Sequence, residues 1–410
     1  MTKRDFLPII LGSDENAYGT ARLIRERYDV TPLMLCTMQL IPTRHSRLMR
    51  VEIIANFEHE DVFVSALRRV LEREREQYEK LLVIPCSDYY AALVCRNYDS
   101  FAPLIANPFI SPALLDAFDT KDRFYSLCEK HGLDYPKTAV AAPEERLSII
   151  DRLPFSFPIV VKPENSNSLD YLRCHFEGQK KVFFFSNREE YLTMVHAMNG
   201  SDYRGKLILQ EFIPGGDDAM RVVNTYSDTE GKERAMCLGQ PILEYYDPKS
   251  AGNYAAIISR GDDALYQKLQ AFLEEIGYVG FSNIDMKYDC RSGRYLLFEI
   301  NPRLGRSSFF CRAAGLNMLS YMIEDVVYGR KEPCVYNHNT ALWSNVPGGL
   351  LRKYVKNPAL RQELAKLRAT HTLWLRSDLS PRRVYRLARY YAAQYKNYAH
   401  YYFNKGDPAL

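Results

Sequence analysis

A chain of 410 residues with 47% apolar and 25% charged side chains has the composition of a packed globular protein, long enough for two or three buried cores, which excludes a disordered tail or a peptide. Its 54 basic and 50 acidic residues leave a formal charge of +4, too balanced for a surface that binds polyanions, so no nucleic-acid partner is expected. The nine cysteines are odd in number, scattered and without a CxxC pair, and the stretch 1–19 has too short an apolar run for a secretory core or a membrane span, so a cytoplasmic protein with reduced thiols is expected.

Residues 7–11 read as a buried strand and 12–19 as a turn opening a helix over 20–28. The pattern repeats with a strand at 51–55, a long charged helix at 62–80, a strand at 81–85 and a helix at 89–96, which predicts a parallel sheet with helices on both faces. A helix over 113–131 follows, stopped by Gly132 and Pro136. Strands are then expected at 157–163, 182–185 and 207–213, with a helix at 188–198 between the last two. Further strands at 220–226 and 235–245, a helix at 264–276 and closing strands at 281–288 and 295–300 make the second half α+β. The fold class is therefore α/β followed by α+β.

The chemistry concentrates in these later strands. Asp285 lies in one closing strand, and Glu299 and Asn301 lie in the other; Asp-Cys-Arg-Ser-Gly at 289–293 reads as the hairpin turn joining them. Side chains two residues apart share a strand face, so Glu299 and Asn301 point the same way. Two carboxylates and an amide are hard oxygen donors that suit magnesium, whereas zinc would ask for His or Cys. An ordinary Glu299–Arg303 ion pair at a strand end is the alternative. Lys162 ends an apolar strand, where its charge needs an anion such as phosphate or an outlet to the surface. The polar loop 164–170 after it offers amides and hydroxyls but no glycine. The strand through Gln210, Glu211, Phe212 and Ile213 breaks at Pro214-Gly215-Gly216 before Asp217; its backbone suits a flat base and Asp217 a ribose, unless it is a plain strand and turn.

In order, Thr-Lys121-Asp, Pro-Ile-Val-Val-Lys162-Pro, Gln-Glu211-Phe-Ile-Pro-Gly-Gly-Asp217, and Asp285 ahead of Glu299-Ile-Asn301-Pro-Arg303 resemble the ATP-grasp superfamily over roughly residues 5–330. The resemblance implies an amino-terminal α/β domain at 1–112, an ATP-grasp region at 113–330 with a hinged lid at about 138–212, and a carboxyl-terminal extension at 331–410. It also implies ATP and Mg2+ as cofactors: Lys121 and Lys162 on the phosphates, Gln210 to Ile213 on adenine, Asp217 on ribose, and Asp285, Glu299 and Asn301 on the metal. Arg303 matches an arginine that stabilises an acyl phosphate. The opening Pro-Ile-Ile-Leu-Gly-Ser-Asp14-Glu-Asn-Ala-Tyr-Gly19, Val-Ile-Pro-Cys-Ser-Asp88 and Arg303-Leu-Gly-Arg306-Ser-Ser resemble the carboxylate-amine ligase branch that includes the D-aspartate ligases of peptidoglycan cross-bridges. The implied substrates are a small carboxylate, an amino acid, and an amine-bearing acceptor. Arg306 then offers a bidentate fork to a substrate carboxylate, or is a surface arginine. Asp14 and Asp88 each follow a strand, where they meet the amine substrate or cap helices.

From Pro381 the chain is basic and tyrosine-rich, and Val384, Leu387, Tyr391, Tyr395, Tyr398 and Tyr402 recur at helical steps while Arg382, Arg386 and Arg389 fall elsewhere. This helix either packs on its own domain or makes a peripheral contact with an anionic membrane surface. Homodimerisation is open at this stage. Two other functions compete with ligation, a biotin-dependent carboxylase component and a nucleotide-binding regulator without turnover; the absence of an Ala-Met-Lys-Met carrier stretch disfavours the first, and Glu299, Asn301 and Arg303 together disfavour the second.

Overall fold

The computed structural model describes residues 3–164, 171, 173–180, 182–247 and 250–402. They form two compact units, one drawn from residues 3–115, 220–285 and 300–402, the other from 116–219 and 286–299.

The first unit begins with four parallel strands, β1 (Arg4–Leu11), β2 (Leu33–Cys36), β3 (Arg50–Ile53) and β4 (Tyr78–Pro85), in the order β3-β2-β1-β4. Leu7, Ile9, Ile10 and Leu11 are fully buried, the continuous apolar run of a strand covered on both faces. Strand β2, which shows no helical or alternating period, escaped the sequence pattern. The first helix runs from Glu15 to Tyr28 and so starts earlier than expected, because Asp14 caps it by accepting the Ala17 N–H at 3.1 Å. Gly19 therefore sits inside a helix; a Cβ there would lie 3.2 Å from Thr372 and 3.3 Å from Phe309, so the glycine permits close packing. The second helix, Glu60–Glu74, ends before the predicted residue 80, because Tyr78 and Lys80 pair with Arg4 and Phe6 as strand β4.

The expected helix over 113–131 is two helices, Pro112–Asp119 and Lys121–Lys130, parted at Thr120, whose backbone is extended. The second unit carries an antiparallel sheet of β5 (Thr138–Ala141), β6 (Ile159–Pro163), β7 (Phe183–Phe185) and β8 (Leu207–Glu211), in the order β5-β8-β6-β7. Its core holds Ile159, Val161, Tyr191, Val195, Leu207 and Leu209. The polar loop singled out from the sequence falls at 165–170, outside the described residues, apart from Glu164, which pairs with Lys206 at 3.7 Å.

A larger sheet comprises β9 (Met220–Ser227), β10 (Glu233–Glu244), β11 (Tyr254–Arg260), β12 (Gly280–Asp289), β13 (Arg294–Asn301), β14 (Val335–Tyr336), β15 (Leu342–Ser344) and β16 (Ala369–Thr370). Its order is β13-β12-β9-β10-β11-β15-β16, with β14 beside β10. The turn between β12 and β13 is a hairpin in which Gly293 takes a φ of 69° and donates its N–H to Asp289 O at 2.8 Å.

The carboxyl-terminal helix, Pro381–Tyr401, is capped by Ser380 and begins with proline at its first turn. Its buried stripe is Arg383, Leu387, Tyr391, Gln394 and Tyr398, which corrects the predicted stripe: Val384 and Tyr395 are exposed. Arg383 can be buried because it donates to the carbonyls of Pro42 and Arg44 and pairs with Asp378 at 3.2 Å. No helix among the described residues is long and apolar enough to cross a membrane.

Candidate active site

In the first unit the carboxyl ends of β1 and β4 carry Asp14 and Asp88. Asp14 is the helix cap already described, and burial pushes its carboxyl above the usual range against the opposing pull of Arg306. Asp88, the first residue of the helix Asp88–Arg96, is exposed and pairs with Nη2 of the largely buried Arg303 at 2.6 Å. Arg306 Nε lies 3.1 Å from Oε2 of Glu15, and its guanidinium stands 5.8 Å from the Tyr245 ring centroid. Glu15 is 3% exposed and takes a second hydrogen bond from the hydroxyl of Tyr390 on the carboxyl-terminal helix. Asn16, also buried, donates to Cys86 O at 3.2 Å and Leu304 O at 3.0 Å, which ties the end of β4 to the segment after β13. Asp14, Asp88, Arg303 and Arg306 are thus brought into one neighbourhood.

Asp285 on β12 is held from three sides. Its Oδ1 accepts the Tyr254 hydroxyl at 2.9 Å, and its Oδ2 accepts the side-chain amides of Asn283 at 2.9 Å and Asn301 at 3.3 Å. Asp285 and Asn301 therefore meet, two of the three side chains that the hairpin spacing is expected to gather. A Cβ on Gly305 would fall 2.0 Å from Asn283 Oδ1, so only glycine leaves that amide its place. Glu299, two residues before Asn301 on β13, belongs to the second unit.

There Glu299 pairs with Lys121 at 3.3 Å, and the Lys121 ammonium also donates to the Phe298 carbonyl. Lys162 at the end of β6 places its Nζ 5.7 Å from the Phe298 ring centroid. Burial and the neighbouring Lys121 pull the Lys162 pKa down to about 8, against Glu299. Two lysines and a carboxylate far apart in sequence thus share one spot. Gln210 turns its side chain inward, where Nε2 donates to Tyr125 Oη at 2.8 Å and Thr138 Oγ1 at 3.0 Å. The Glu211 N–H donates to Lys137 O at 3.0 Å and that of Phe212 to Pro158 O at 3.3 Å. Ile213 is buried, and Asp217 opens a short 3-10 turn, Asp217–Ala219, after Gly215 at φ 107°.

Sequence reasoning missed Glu15, Asn16, Asn283, Tyr254 and Tyr390. Asn283 was within reach, because it shares the strand face of Asp285 two residues away. Tyr254 and Tyr390 carried no local signal, since strand pairing and helix docking bring them in from distant segments. Among the described residues no group of three or more His, Cys, Asp or Glu side chains is placed to hold a metal. Asp285 and Asn301 are instead an oxygen-bearing pair of the kind a hard cation takes together with the oxygens of its substrate.

No family model matches the chain. A D-aspartate ligase of Enterococcus faecium (strain Aus0004) is 38% identical over 412 residues, 97% of each chain. Among solved structures, the L-amino acid ligase from Bacillus licheniformis matches with a TM-score of 0.54 at 14% identity, over 80% of this chain and 75% of that one. The ADP complex of an N5-carboxyaminoimidazole ribonucleotide synthetase matches with a TM-score of 0.60 at 15% identity, over 89% of this chain and 96% of that one. At such identities the structural matches speak for the fold, and the end-to-end sequence match speaks for the family. The chain belongs to the D-aspartate ligase family of ATP-grasp carboxylate-amine ligases, which form an amide bond in an ATP-dependent reaction.

Proposed function

We propose that this ligase activates the β-carboxylate of D-aspartate with ATP and joins it to a primary amine of a peptidoglycan precursor, through an acyl phosphate. The observation that carries the substrate assignment is the pair of arginines in one neighbourhood, Arg303 beside Asp88 and Arg306 between Glu15 and Tyr245. A dicarboxylate offers one carboxylate to react and one to be held, and two guanidinium groups match that demand. The 38% identity to a D-aspartate ligase agrees with it and disfavours the carboxylase and regulator alternatives.

Lys121 and Lys162 hold the phosphates of ATP, and Asp217 the ribose. Adenine is read along 210–213 by backbone groups other than the N–H of Glu211 and Phe212, which are already engaged, while the Gln210 side chain supports the strand from inside. Asp285, Glu299 and Asn301 are the oxygen ligands for magnesium, which when bound supplies Lewis-acid stabilisation of phosphoryl charge. Arg303 steadies the negative charge that develops on the carboxyl oxygens as the amine attacks. Arg306 orients the carboxylate that does not react, and Asp14 and Asp88 receive amino groups. The segment 138–212 serves as the lid.

The test is ADP release with magnesium-ATP across a panel of amino acids, with hydroxylamine present to trap activated acid. A hydroxamate from D-aspartate alone supports the reading. A hydroxamate from other acids but not D-aspartate refutes the substrate, and none from any acid refutes the acyl phosphate.

A further inference from the structure

We propose that the carboxyl-terminal helix, Pro381–Tyr401, seats the ligase on an anionic lipid bilayer, lying along the headgroups without crossing them. The near-neutral charge of the whole chain hides a segregation. Residues 348–402 hold 12 of the 54 basic side chains and 2 of the 50 acidic ones. Both of those acids are engaged, Glu363 with Arg260 and Asp378 with Arg383. Nothing acidic falls between 379 and 402.

The two faces of the helix serve different purposes. Arg383, Leu387, Tyr391, Gln394 and Tyr398 are buried in the first unit. On the opposite side Arg382, Arg386, Arg389 and Lys396 are exposed, and among the described residues none of the four meets a carboxylate. Steps of four, three and seven residues keep them on one face, and at a rise of 1.5 Å per residue the row runs about 21 Å. The Arg389 guanidinium stands 5.7 Å from the Tyr385 ring centroid, which holds that cation in the row. Lys353 and Lys356, both exposed, extend the charge past the helix end, where Lys356 Nζ lies 5.9 Å from the Tyr402 ring centroid.

What lies between the cations identifies the partner. The other exposed positions over 384–395 are Val384, Tyr385, Ala388, Ala392, Ala393 and Tyr395, with Tyr385 59% and Tyr395 48% exposed. Cations set among alanine, valine and tyrosine suit the boundary between phosphate headgroups and acyl chains, where stems and rings enter the apolar layer and charges reach the phosphates. Trp374, exposed, with its ring centroid 5.9 Å from that of Tyr391, adds the residue type that favours this boundary. Nucleic acid is gripped by amide and hydroxyl side chains as well as by cations, and none of the exposed positions over 384–395 is Ser, Thr, Asn or Gln. A second copy of this chain would bring the same cations face to face, which disfavours self-association through this helix.

The bilayer assignment is independent of which acid the ligase activates. The full chain is sedimented at low salt with vesicles of phosphatidylcholine alone and of phosphatidylcholine mixed equally with phosphatidylglycerol, and a short RNA duplex is offered as a soluble polyanion. The wild type is expected to pellet with the mixed vesicles only. Each cation near an anionic surface is worth about fivefold in partitioning, so Arg386→Ser with Arg389→Ser should weaken binding at least tenfold. The second pair, Arg382→Ser with Lys396→Ser, should do the same, and Tyr385→Ser should weaken binding at least threefold by removing a ring from the apolar layer. ADP release without vesicles should stay within twofold of wild type in all three variants. No pelleting with the mixed vesicles, equal pelleting with phosphatidylcholine alone, undiminished binding in both arginine and lysine pairs, or lost ADP release would each overturn the assignment. Tighter binding of the RNA duplex, with vesicle binding indifferent to Tyr385→Ser, would give the face to nucleic acid instead.

Discussion

The Glu15–Tyr390 contact gives the sharpest test of how Arg306 works. Tyr390→Phe removes one hydroxyl donor from a carboxylate that is 3% exposed and leaves Arg306, at 3.1 Å, as its charged partner. A hydrogen bond to a charged group contributes about 1.5–3 kcal/mol. With its second donor gone, Glu15 competes with the substrate carboxylate for the same guanidinium. If that full energy appears in binding, at about 1.4 kcal/mol per factor of ten, KM for the amino acid rises roughly 10- to 100-fold. The turnover number should hold, because the tyrosine acts through Arg306 and not on the reacting atoms. The assay is steady-state ADP release with the amino acid varied at saturating ATP, beside a urea unfolding curve. Arg306→Lys, which keeps the charge and loses the fork, should raise the same KM. A KM within twofold of wild type for Tyr390→Phe, with a lowered unfolding midpoint, would show that the contact only braces the helix.

Arg303→Ala and Glu299→Gln should each lower kcat about 10²- to 10³-fold without shifting the thermal midpoint, the magnitude of losing one charge-stabilising donor; undiminished ADP release in either variant removes it from the site. Lys162, with its pKa drawn down to about 8, should take up a proton when nucleotide phosphate binds near that pH, so binding enthalpies measured there should vary with the ionisation enthalpy of the buffer. Equal enthalpies in all buffers would place the phosphate elsewhere. Burial raises the Glu233 carboxyl from 4.5 to about 8, against hydrogen bonds from Ser227 and Thr225. A raised folded pKa means stability complete below 4.5 and lost as pH rises through about 8, so Glu233→Gln should flatten the fall in thermal midpoint across that window. Leu387→Ala, at a fully buried position of the carboxyl-terminal helix, should cost about 2–5 kcal/mol in urea unfolding.

Much of the fold was legible because local chemistry dictated it. The buried run at Leu7–Leu11 and the turn at Asp289–Gly293 each specify their structure within a few residues, as does the Ser380-Pro381 helix start. The boundaries at 74–78 and 119–121 were not legible, because strand pairing to Arg4 and the extended backbone at Thr120 override helical propensity. The hairpin spacing predicts that Asp285, Glu299 and Asn301 gather; Asp285 and Asn301 do meet, whereas Glu299 pairs with Lys121. The spacing could not foretell that Tyr254 would hold the other oxygen of Asp285, since that phenol arrives on β11.

Taken alone, the order of residues determined the chemistry on offer, which carboxylates, amides, lysines and arginines stand at strand ends, and the resemblance of those motifs in order to the ATP-grasp superfamily implied an ATP-dependent ligase. Side-chain identity and strand period are local properties, so they survive without coordinates. Tertiary structure decided which of those groups are neighbours and which are spent on support. It gathered Lys121, Lys162 and Glu299 around Phe298, and it turned Gln210 inward to Tyr125. It also brought Tyr390 across 375 positions to Glu15. Burial and long-range packing set those choices, because the free energy of a charge in a fold depends on what surrounds it, and no short window of sequence contains its surroundings.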